Sequence, residues 1–361
     1  MPHKDPDPRV ELLGLEPEAA EAHLREFFAA AGAPTYRAGQ VLRTLYAGAP
    51  AFGAMTNIKL DERDALDRAF SLTRLQEADA RVSSDGTVKH LWSLSDGELV
   101  ESVLIPAAGR TTLCISSQAG CALGCTFCAT GFYGLRRNLS AAEIIAQYRE
   151  SRAWAYANGL PPVNNIVFMG MGEPFANREA VFRALTVLNH GFRFGARRIT
   201  VSTVGVIPGI EQLARRPEQF RLAVSLHAPT HELRLELVPI ERRYPLPDLM
   251  KALREFVAVR GKRVTFEYTL IHEVNDSPEL ADRLGELVGE LKPLVNLIPY
   301  NPIPYSDYRP SPPAVVAAFR ARLERLGVKA EIRWPRGRDI EAACGQLRSA
   351  HAGGTETADP D

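Results

Sequence analysis

Three cysteines stand close together in the segment GCALGCTFCATG, which runs from residue 120 to residue 131. Cys121, Cys125 and Cys128 have the spacing C-x3-C-x2-C, and the whole chain has only five cysteines. Such crowding favours metal or redox chemistry over structural disulfides. A structural zinc site needs four ligands, and no second cysteine pair follows. A [4Fe-4S] cluster normally takes four thiolates, so three would leave one iron open to a substrate or cofactor.

The segments that must position these cysteines alternate along the chain between strand-like and helix-like patterns. Six short apolar runs, separated mostly by segments of helical periodicity, are typical of buried strands: TLCISS, NIVFMGM, RITVSTVG, RLAVSLHA, VTFEYTLI and VNLIPYN. This pattern predicts an α/β fold with a parallel sheet. Because no GxGxxG turn follows any of the runs, a closed or partly closed barrel is favoured over an open dinucleotide-binding sheet. The cysteines directly follow the first run, where α/β folds place their active sites.

The remaining segments suggest three parts. Helical periodicity between about 16 and 75 predicts a small helical accessory domain over residues 1–80. A polar connector, EADARVSSDGTVKH, leads to a hairpin in which Ser95, Asp96 and Gly97 form the turn, and the main domain is expected over 81–347. The small, polar residues 348–361 are expected to be disordered.

Charge and hydropathy limit the possible partners. The 43 basic and 43 acidic residues balance, but residues 110–200 contain ten arginines, no lysine and four glutamates. That excess suits a polyanion, although arginine-rich composition alone would also produce it. No apolar run resembles a membrane span or a signal peptide, so a cytoplasmic protein without a membrane partner is expected.

The cysteine motif, with Phe127 before its last cysteine, resembles that of the radical S-adenosylmethionine superfamily. Members place this loop after the first strand of a partial (β/α)6 barrel. The resemblance implies a [4Fe-4S] cluster whose open iron chelates S-adenosylmethionine, and a 5′-deoxyadenosyl radical formed with one electron from a donor such as flavodoxin. The segment MGMGEP, residues 169–174, fits the superfamily's glycine-rich turn, in which Gly172 and Glu173 would meet the amino group of S-adenosylmethionine. Alone such a turn is weak, but its order and spacing relative to the cysteines strengthen it.

A narrower resemblance extends over most of the chain. The segments that carry it are CISSQAGCALGCTFCATG, RNLS, NIVFMGMGEP, ITVSTVGVIP, AVSLHAP, LIPYNP and DIEAACGQL. They look like the RlmN family, which methylates carbon 2 of an adenine in large-subunit rRNA and in many cases tRNA, and has an N-terminal helical domain expected to be RNA-binding-like. The S-adenosylmethionine contacts that the resemblance implies are Gly172, Glu173, Ser202, Ser225, Leu226, His227 and Asn301. Without that resemblance, His227 would equally suit a packed core.

The two other cysteines match a chemical requirement. Carbon 2 of adenine has no lone pair and cannot displace a methyl group from a sulfonium, whereas a thiolate can. The resemblance implies that Cys344 accepts the methyl group from one S-adenosylmethionine, and that a radical from a second activates it. It also implies that Cys114 resolves the RNA adduct through a disulfide, and that Glu101 is the base. From the residues alone, both cysteines suit a buried apolar role and Glu101 a solvated strand position.

Two other functions remain open from the sequence. The visible cysteine chemistry equally permits methylation at carbon 8, as in the related Cfr proteins. A non-methylating iron-sulfur RNA-binding protein would require Cys344 and Cys114 to be structural. The arginines that could bind phosphates, or merely face solvent, are Arg136, Arg137, Arg197 and Arg198.

Overall fold

The computed structural model describes residues 8–347, so the disorder expected for 348–361 concerns residues outside the described part. The strands are β1 (Val10–Glu11), β2 (Phe70–Ser71), β3 (Gln76–Val82), β4 (Val88–Ser93), β5 (Leu99–Ala107), β6 (Arg110–Cys114), β7 (Gln118–Gly120), β8 (Leu135–Asn138), β9 (Val163–Phe168), β10 (Ile199–Thr203), β11 (Arg221–Ser225), β12 (Thr265–Leu270), β13 (Leu294–Pro299) and β14 (Lys329–Ile332).

Helices precede and follow these strands. The α-helices are α1 (Pro17–Ala30), α2 (Arg37–Ala47), α3 (Leu60–Ala69), α4 (Ala129–Phe132), α5 (Ala141–Ala157), α6 (Arg178–Thr186), α7 (Ile207–Arg215), α8 (His231–Leu237), α9 (Leu246–Arg260), α10 (Pro278–Val288) and α11 (Pro313–Arg325). Short 3-10 helices cover Phe52–Ala54, Pro174–Asn177, Ala196–Arg198, Pro239–Arg242, Gly289–Leu291 and Arg338–Ile340, and α6 continues into a π-helix at Val187–Gly191.

One ten-stranded sheet organises the molecule in the order β14-β13-β12-β11-β10-β9-β6-β5-β4-β3. The strands from β6 and β9 through to β14 pair in parallel, whereas β6, β5, β4 and β3 pair antiparallel. Helices connect the parallel strands, so the carboxyl ends of these strands meet at one edge. The predicted α/β partial barrel is confirmed, and β14 adds a seventh parallel strand to the six expected.

Alternate residues along the central strands have different surroundings. Phe266, Tyr268 and Leu270 of β12 belong to the main hydrophobic core, whereas Glu267 and Thr269 between them line a cavity. Strand β10 repeats the pattern, with Val201 in the core. Because side chains on a strand alternate between its two faces, the sheet has an apolar face and a polar, cavity-facing one.

The N-terminal helices pack against the sheet domain. Leu24 and Phe28 of α1 belong to the same continuous hydrophobic core as the strands. Arg149 and Arg152 of α5 donate hydrogen bonds of 3.0 Å to the carbonyls of Ala49 and Ala47. None of the helices within residues 8–347 is both long and apolar enough to cross a bilayer.

The expected polar connector is in fact part of the sheet. Residues 76–82 form β3, and a second hairpin turn at 83–87 leads into β4. The turn at Ser95–Gly97 is confirmed, since the Leu94 amide donates to the Glu98 carbonyl at 2.8 Å and Gly97 has a φ of 89°. The three-part division into 1–80, 81–347 and 348–361 remains a prediction.

Candidate active site

A cavity of about 320 Å³ opens at the carboxyl ends of the parallel strands. Most of the residues predicted for the site line it: Cys121, Cys125, Cys128, Gly172, Glu173, Ser202, Ser225, His227, Asn301 and Cys344. Cys114 and Glu101 lie outside its lining, and the Leu226 side chain is fully buried in the main core. The sequence motifs thus converge on one place, although they are spread from residue 121 to residue 344.

The cysteine loop is closed at its base by the antiparallel pair β7 and β8. The Cys121 amide donates to the Gly134 carbonyl at 2.9 Å, and the Cys128 amide to the Cys125 carbonyl at 3.1 Å. Gly124 has a φ of 64°, a left-handed conformation that glycine adopts without strain. These backbone contacts give the loop a defined shape in which all three cysteines line the cavity.

The donor set of this loop suits a cluster. Burial raises the pKa of Cys121 to about 12 and that of Cys125 well above its usual value, and the neighbouring thiols add to both shifts. Three crowded thiolates therefore need a cationic centre to be stable. Within residues 8–347, no three His, Cys, Asp or Glu side chains are arranged around a single metal ion. A [4Fe-4S] cluster binds each thiolate to a different iron, so its ligands stand farther apart.

The MGMGEP segment is hydrogen-bonded to the residues that follow β6, up to the start of β7. The Met171 amide donates to Ser116 Oγ at 2.8 Å, and the Glu173 amide donates to Gln118 Oε1 at 2.9 Å. Gly172 has a φ of 93°, and a Cβ there would lie 2.5 Å from the Cβ of Gln118. The Glu173 carboxylate accepts hydrogen bonds from the amides of Phe175 and Val204, while its burial raises the pKa to about 7.

Ser202, Ser225 and His227 stand on the ends of β10 and β11. The two serine hydroxyls are 3.4 Å apart. The Nδ1 of His227 accepts a hydrogen bond of 3.0 Å from the Thr269 amide, and burial lowers the pKa of His227 to about 3. The imidazole is therefore neutral and carries its proton on Nε2.

Arg234, which sequence reasoning missed, holds these strand ends together. Its guanidinium is fully buried and donates to the carbonyls of Val204 and Leu226 and to the Glu241 carboxylate. The buried Arg234–Glu241 pair thereby fixes the loops after β10 and β11. In the sequence, HELRLE is typical of the first turns of a solvent-exposed helix, so it does not indicate that Arg234 is buried.

Residues 336–347, here called the Cys344 segment, cover the other side of the cavity. Asn301 Nδ2 donates to the Cys344 carbonyl at 3.0 Å, and the Ala129 amide to the Gly345 carbonyl at 2.7 Å. The hairpin turn at 83–87 supplies further bonds, from Ser83 Oγ to Asp339 at 2.5 Å and from the Gly337 amide to Asp85 at 3.0 Å. The segment is thus held by residues far away in sequence.

The thiols of Cys114 and Cys344 are neighbours. Cys114 ends β6 and packs in a small apolar cluster with Val103 and Ala342, two residues before Cys344. Burial raises the pKa of Cys114 far above its usual value, and the charge of an ionised Cys344 raises it further. Cys344 is exposed towards the cavity, yet protein atoms around its sulfur and the Glu267 carboxylate raise its pKa to about 11.

Two charged residues near the Cys344 segment, Glu267 and Lys89, were not predicted. Glu267 lines the cavity, and its Oε1 accepts a hydrogen bond of 2.8 Å from Asn296 Nδ2. Lys89 is buried, with its Nζ 3.1 Å from Oε1 of Glu101. A single charged residue in a strand resembles a solvent-facing one in sequence, so only the structure reveals them.

Of the four candidate phosphate contacts, Arg136 is exposed on β8, and the other three fall into two groups. Arg137 is bound to both oxygens of Glu143 and to Asp96, so its guanidinium is committed to protein contacts. Arg197 and Arg198 precede β10, whose opposite end carries Ser202 at the cavity. They therefore lie at the end of β10 that points away from the cavity. By contrast, Arg333 and the 57% exposed Trp334 both line the cavity.

Comparison with known proteins identifies the class. Residues 115–284 match the radical SAM superfamily, and residues 10–72 match the family described as the ribosomal RNA large subunit methyltransferase N-terminal domain. A crystal structure of a radical SAM methyltransferase from Sphaerobacter thermophilus is 45% identical, with a TM-score of 0.89, over 94% of this chain and 100% of that one. The fold and the cysteine loop are those of a radical SAM enzyme.

The particular family follows from full-length relatives. A probable dual-specificity RNA methyltransferase RlmN from Gemmatimonas aurantiaca is 47% identical over 95% of this chain and 94% of its own length. One of the same name from Thermus thermophilus is 45% identical over 86% and 88%. The chain therefore belongs to the RlmN family of radical SAM RNA methyltransferases, and the family implies a [4Fe-4S] cluster and S-adenosylmethionine.

Proposed function

We propose that this enzyme methylates carbon 2 of adenine in large-subunit rRNA and in tRNA, through a methyl group carried by Cys344. The observation that carries the proposal is the position of Cys344, which lines the same cavity as the three cysteines of the loop and neighbours Cys114. A radical SAM enzyme needs no such pair merely to cleave its cofactor. A methyl carrier with a resolving thiol needs both.

The cofactors would be held by the residues of the cavity wall. Cys121, Cys125 and Cys128 would bind the cluster, and the lining residues that would bind S-adenosylmethionine are Gly172, Glu173, Ser202, Ser225, His227 and Asn301. Leu226, which completes the proposed set, does not line the cavity, because its side chain is buried in the core. When bound, with one electron from a donor such as flavodoxin, they supply a methyl group and a 5′-deoxyadenosyl radical, from two S-adenosylmethionine molecules per turnover. Trp334 and Arg333 at the cavity would receive an everted base and its phosphate.

The protein's own residues then carry the reaction to product. Cys344 takes the methyl group on its sulfur, and after one hydrogen atom is lost from that group its carbon bonds to carbon 2. The adduct is a radical and gives up one electron, for which a cluster bound at Cys121, Cys125 and Cys128 would be the acceptor, and the proton on carbon 2 passes to Glu101. Cys114, as its thiolate, attacks the sulfur of Cys344, and the S–C bond breaks with its electron pair on the new methyl carbon, which takes a proton from solvent. A Cys114–Cys344 disulfide remains and must be reduced before the next turnover.

Two variants test this function. Cys344→Ala should form neither S-methylcysteine nor a covalent RNA species, because the methyl acceptor is gone. Cys114→Ala should accumulate RNA linked to Cys344, visible on denaturing gels, because nothing resolves the adduct. Normal turnover by Cys114→Ala, or a folded, iron-loaded variant that traps nothing, would refute the proposal.

The position of the methyl group needs its own measurement. Nucleosides from RNA treated with the wild-type enzyme should contain 2-methyladenosine. Methyl groups on carbon 8 instead would assign the enzyme to Cfr-type chemistry. We also propose that residues 1–80 act as an RNA-binding accessory unit and that the enzyme is cytoplasmic.

A further inference from the structure

Lys89 is a buried charge that the reaction described above does not use. It lies in β4 with 6% of its surface exposed, although lysine is rarely buried unless it is paired. Its Nζ is 3.1 Å from Oε1 of Glu101 and donates a hydrogen bond of 3.1 Å to the Glu341 carbonyl. One ammonium group thus contacts both the proposed base and the backbone three residues before Cys344.

The sheet register explains how this contact arises. Lys89 of β4 pairs with Val103 of β5, and Leu91 pairs with Glu101. Lys89 and Glu101 are therefore diagonal neighbours on one face of the antiparallel pair, within reach of a long side chain. Val103 on the same face packs against Ala342, so this is the face that the Cys344 segment covers.

We propose that Lys89 is a positioning residue that keeps the Glu101 carboxylate ionised and fixes it relative to the segment that carries the methyl group. Burial disfavours the charged form of a carboxylate that is 3% exposed, and an ammonium group 3.1 Å away opposes this. The inference rests on the function proposed above, in which Glu101 takes the proton from carbon 2 of the adenine.

The transfer of the proton from carbon 2 to Glu101 changes one bond on each partner and the charge of the ion pair. The bond between carbon 2 and its hydrogen breaks, the electron pair stays with the ring, and a new O–H bond forms on Glu101. The ion pair then changes from neutral to a single positive charge on Lys89. Because the ammonium has three donors, the bond to the Glu341 carbonyl can persist while Glu101 becomes neutral. The methyl-carrying segment therefore stays in place during the step.

The experiment compares partial reactions of the cluster-loaded enzyme. Lys89→Met should load methyl on Cys344 and release 5′-deoxyadenosine at rates within about threefold of wild type, but form 2-methyladenosine about 100-fold more slowly, as Glu101→Gln should. The double variant Lys89→Met/Glu101→Gln should be no slower than Glu101→Gln, because both act at the same step. Lys89→Arg should recover part of the rate. Lys329→Met, which removes an exposed lysine 3.1 Å from Glu331, is the matched control and should react normally.

Several results would overturn the inference. They are a folded Lys89→Met that forms product normally, a double variant whose losses multiply, and equal slowing of every partial reaction together with a lower melting temperature. Should Lys89→Met fail to fold, the double variant removes both members of the buried pair and is better tolerated. If the double variant loses more activity than Glu101→Gln, Lys89 has an effect that does not pass through Glu101, and the inference is wrong. Failure of the proposed function itself is separate, because wild-type enzyme would then form no 2-methyladenosine and Cys114→Ala would trap no RNA.

Discussion

The strand ends of β9, β10 and β11 and the Cys344 segment border the same cavity but are held differently. The strand ends belong to a parallel sheet whose backbone hydrogen bonds continue behind them, and Arg234 ties two of them together. The Cys344 segment contains only the short 3-10 helix Arg338–Ile340 and depends on single contacts from distant elements. Steps that need the cofactor should therefore be separable by mutation from steps that need the methyl carrier.

The largest effect is expected when the cluster ligands are removed and the Cys344 segment is left unchanged. Replacing Cys121, Cys125 or Cys128 with Ala should abolish iron loading and 5′-deoxyadenosine formation, because each thiolate is expected to bind one iron. Iron analysis and circular dichroism measure the loss and the retained fold. Cys114→Ala is the control and should keep its iron. Near-normal iron content and radical chemistry in any of the three variants would contradict the assignment.

A smaller effect should appear when the Cys344 segment alone is loosened. Asp339→Ala removes the bonds from Ser83 Oγ, at 2.5 Å, and from the Ser84 amide, at 3.0 Å. Methyl loading of Cys344, measured by mass spectrometry, should fall about tenfold while iron content is unchanged. Asp282→Ala, which removes a partner of Arg322 away from the cavity, should change neither quantity. Equal losses of iron and methyl loading would show that the two sides are not independent.

The smallest expected effect concerns the reactivity of the Cys344 thiol and its dependence on pH. Because the pKa of Cys344 is raised to about 11, its thiolate fraction should grow about tenfold per pH unit between pH 7 and pH 10. Iodoacetamide alkylation of Cys344 in cluster-free protein, followed by peptide mass spectrometry, should rise in step. Glu267→Gln removes a nearby negative charge and should speed alkylation at pH 9 about threefold. An unchanged rate would mean that Glu267 does not influence the thiol.

The contrast between regular strands and segments held by single contacts also explains which parts of the fold could be predicted from the sequence. The six predicted strands have buried apolar runs, and their carboxyl ends carry the cysteine loop, the glycine turn and the serines. Strand β3 was missed because its residues 76–82 are all exposed or half-buried and lack an apolar face. Strand β14 was missed because KAEI is short and half polar.

Long-range contacts at the site left no local signal. Lys89 meets the Glu341 carbonyl across 252 positions, and Arg234 meets Val204 across 30. Neither residue belongs to a recognisable motif, and each alone in a strand or helix is typical of a solvent-facing charge. The roles predicted for Cys344 and Cys114 came only from the chemistry of carbon 2, which demands two further thiols, and from a family resemblance that assigned them.

The bonds between the hairpin turn at 83–87 and the Cys344 segment also bear on the protein's synthesis. A chain made from its N-terminus can form the hairpin and the parallel strands early, because their partners are already available. Ser83, Asp85 and Lys89 must then wait for more than 240 further residues to leave the ribosome before their partners exist. A nascent or prematurely ended chain can thus form a barrel and a cysteine loop and still lack Cys344, the proposed methyl carrier.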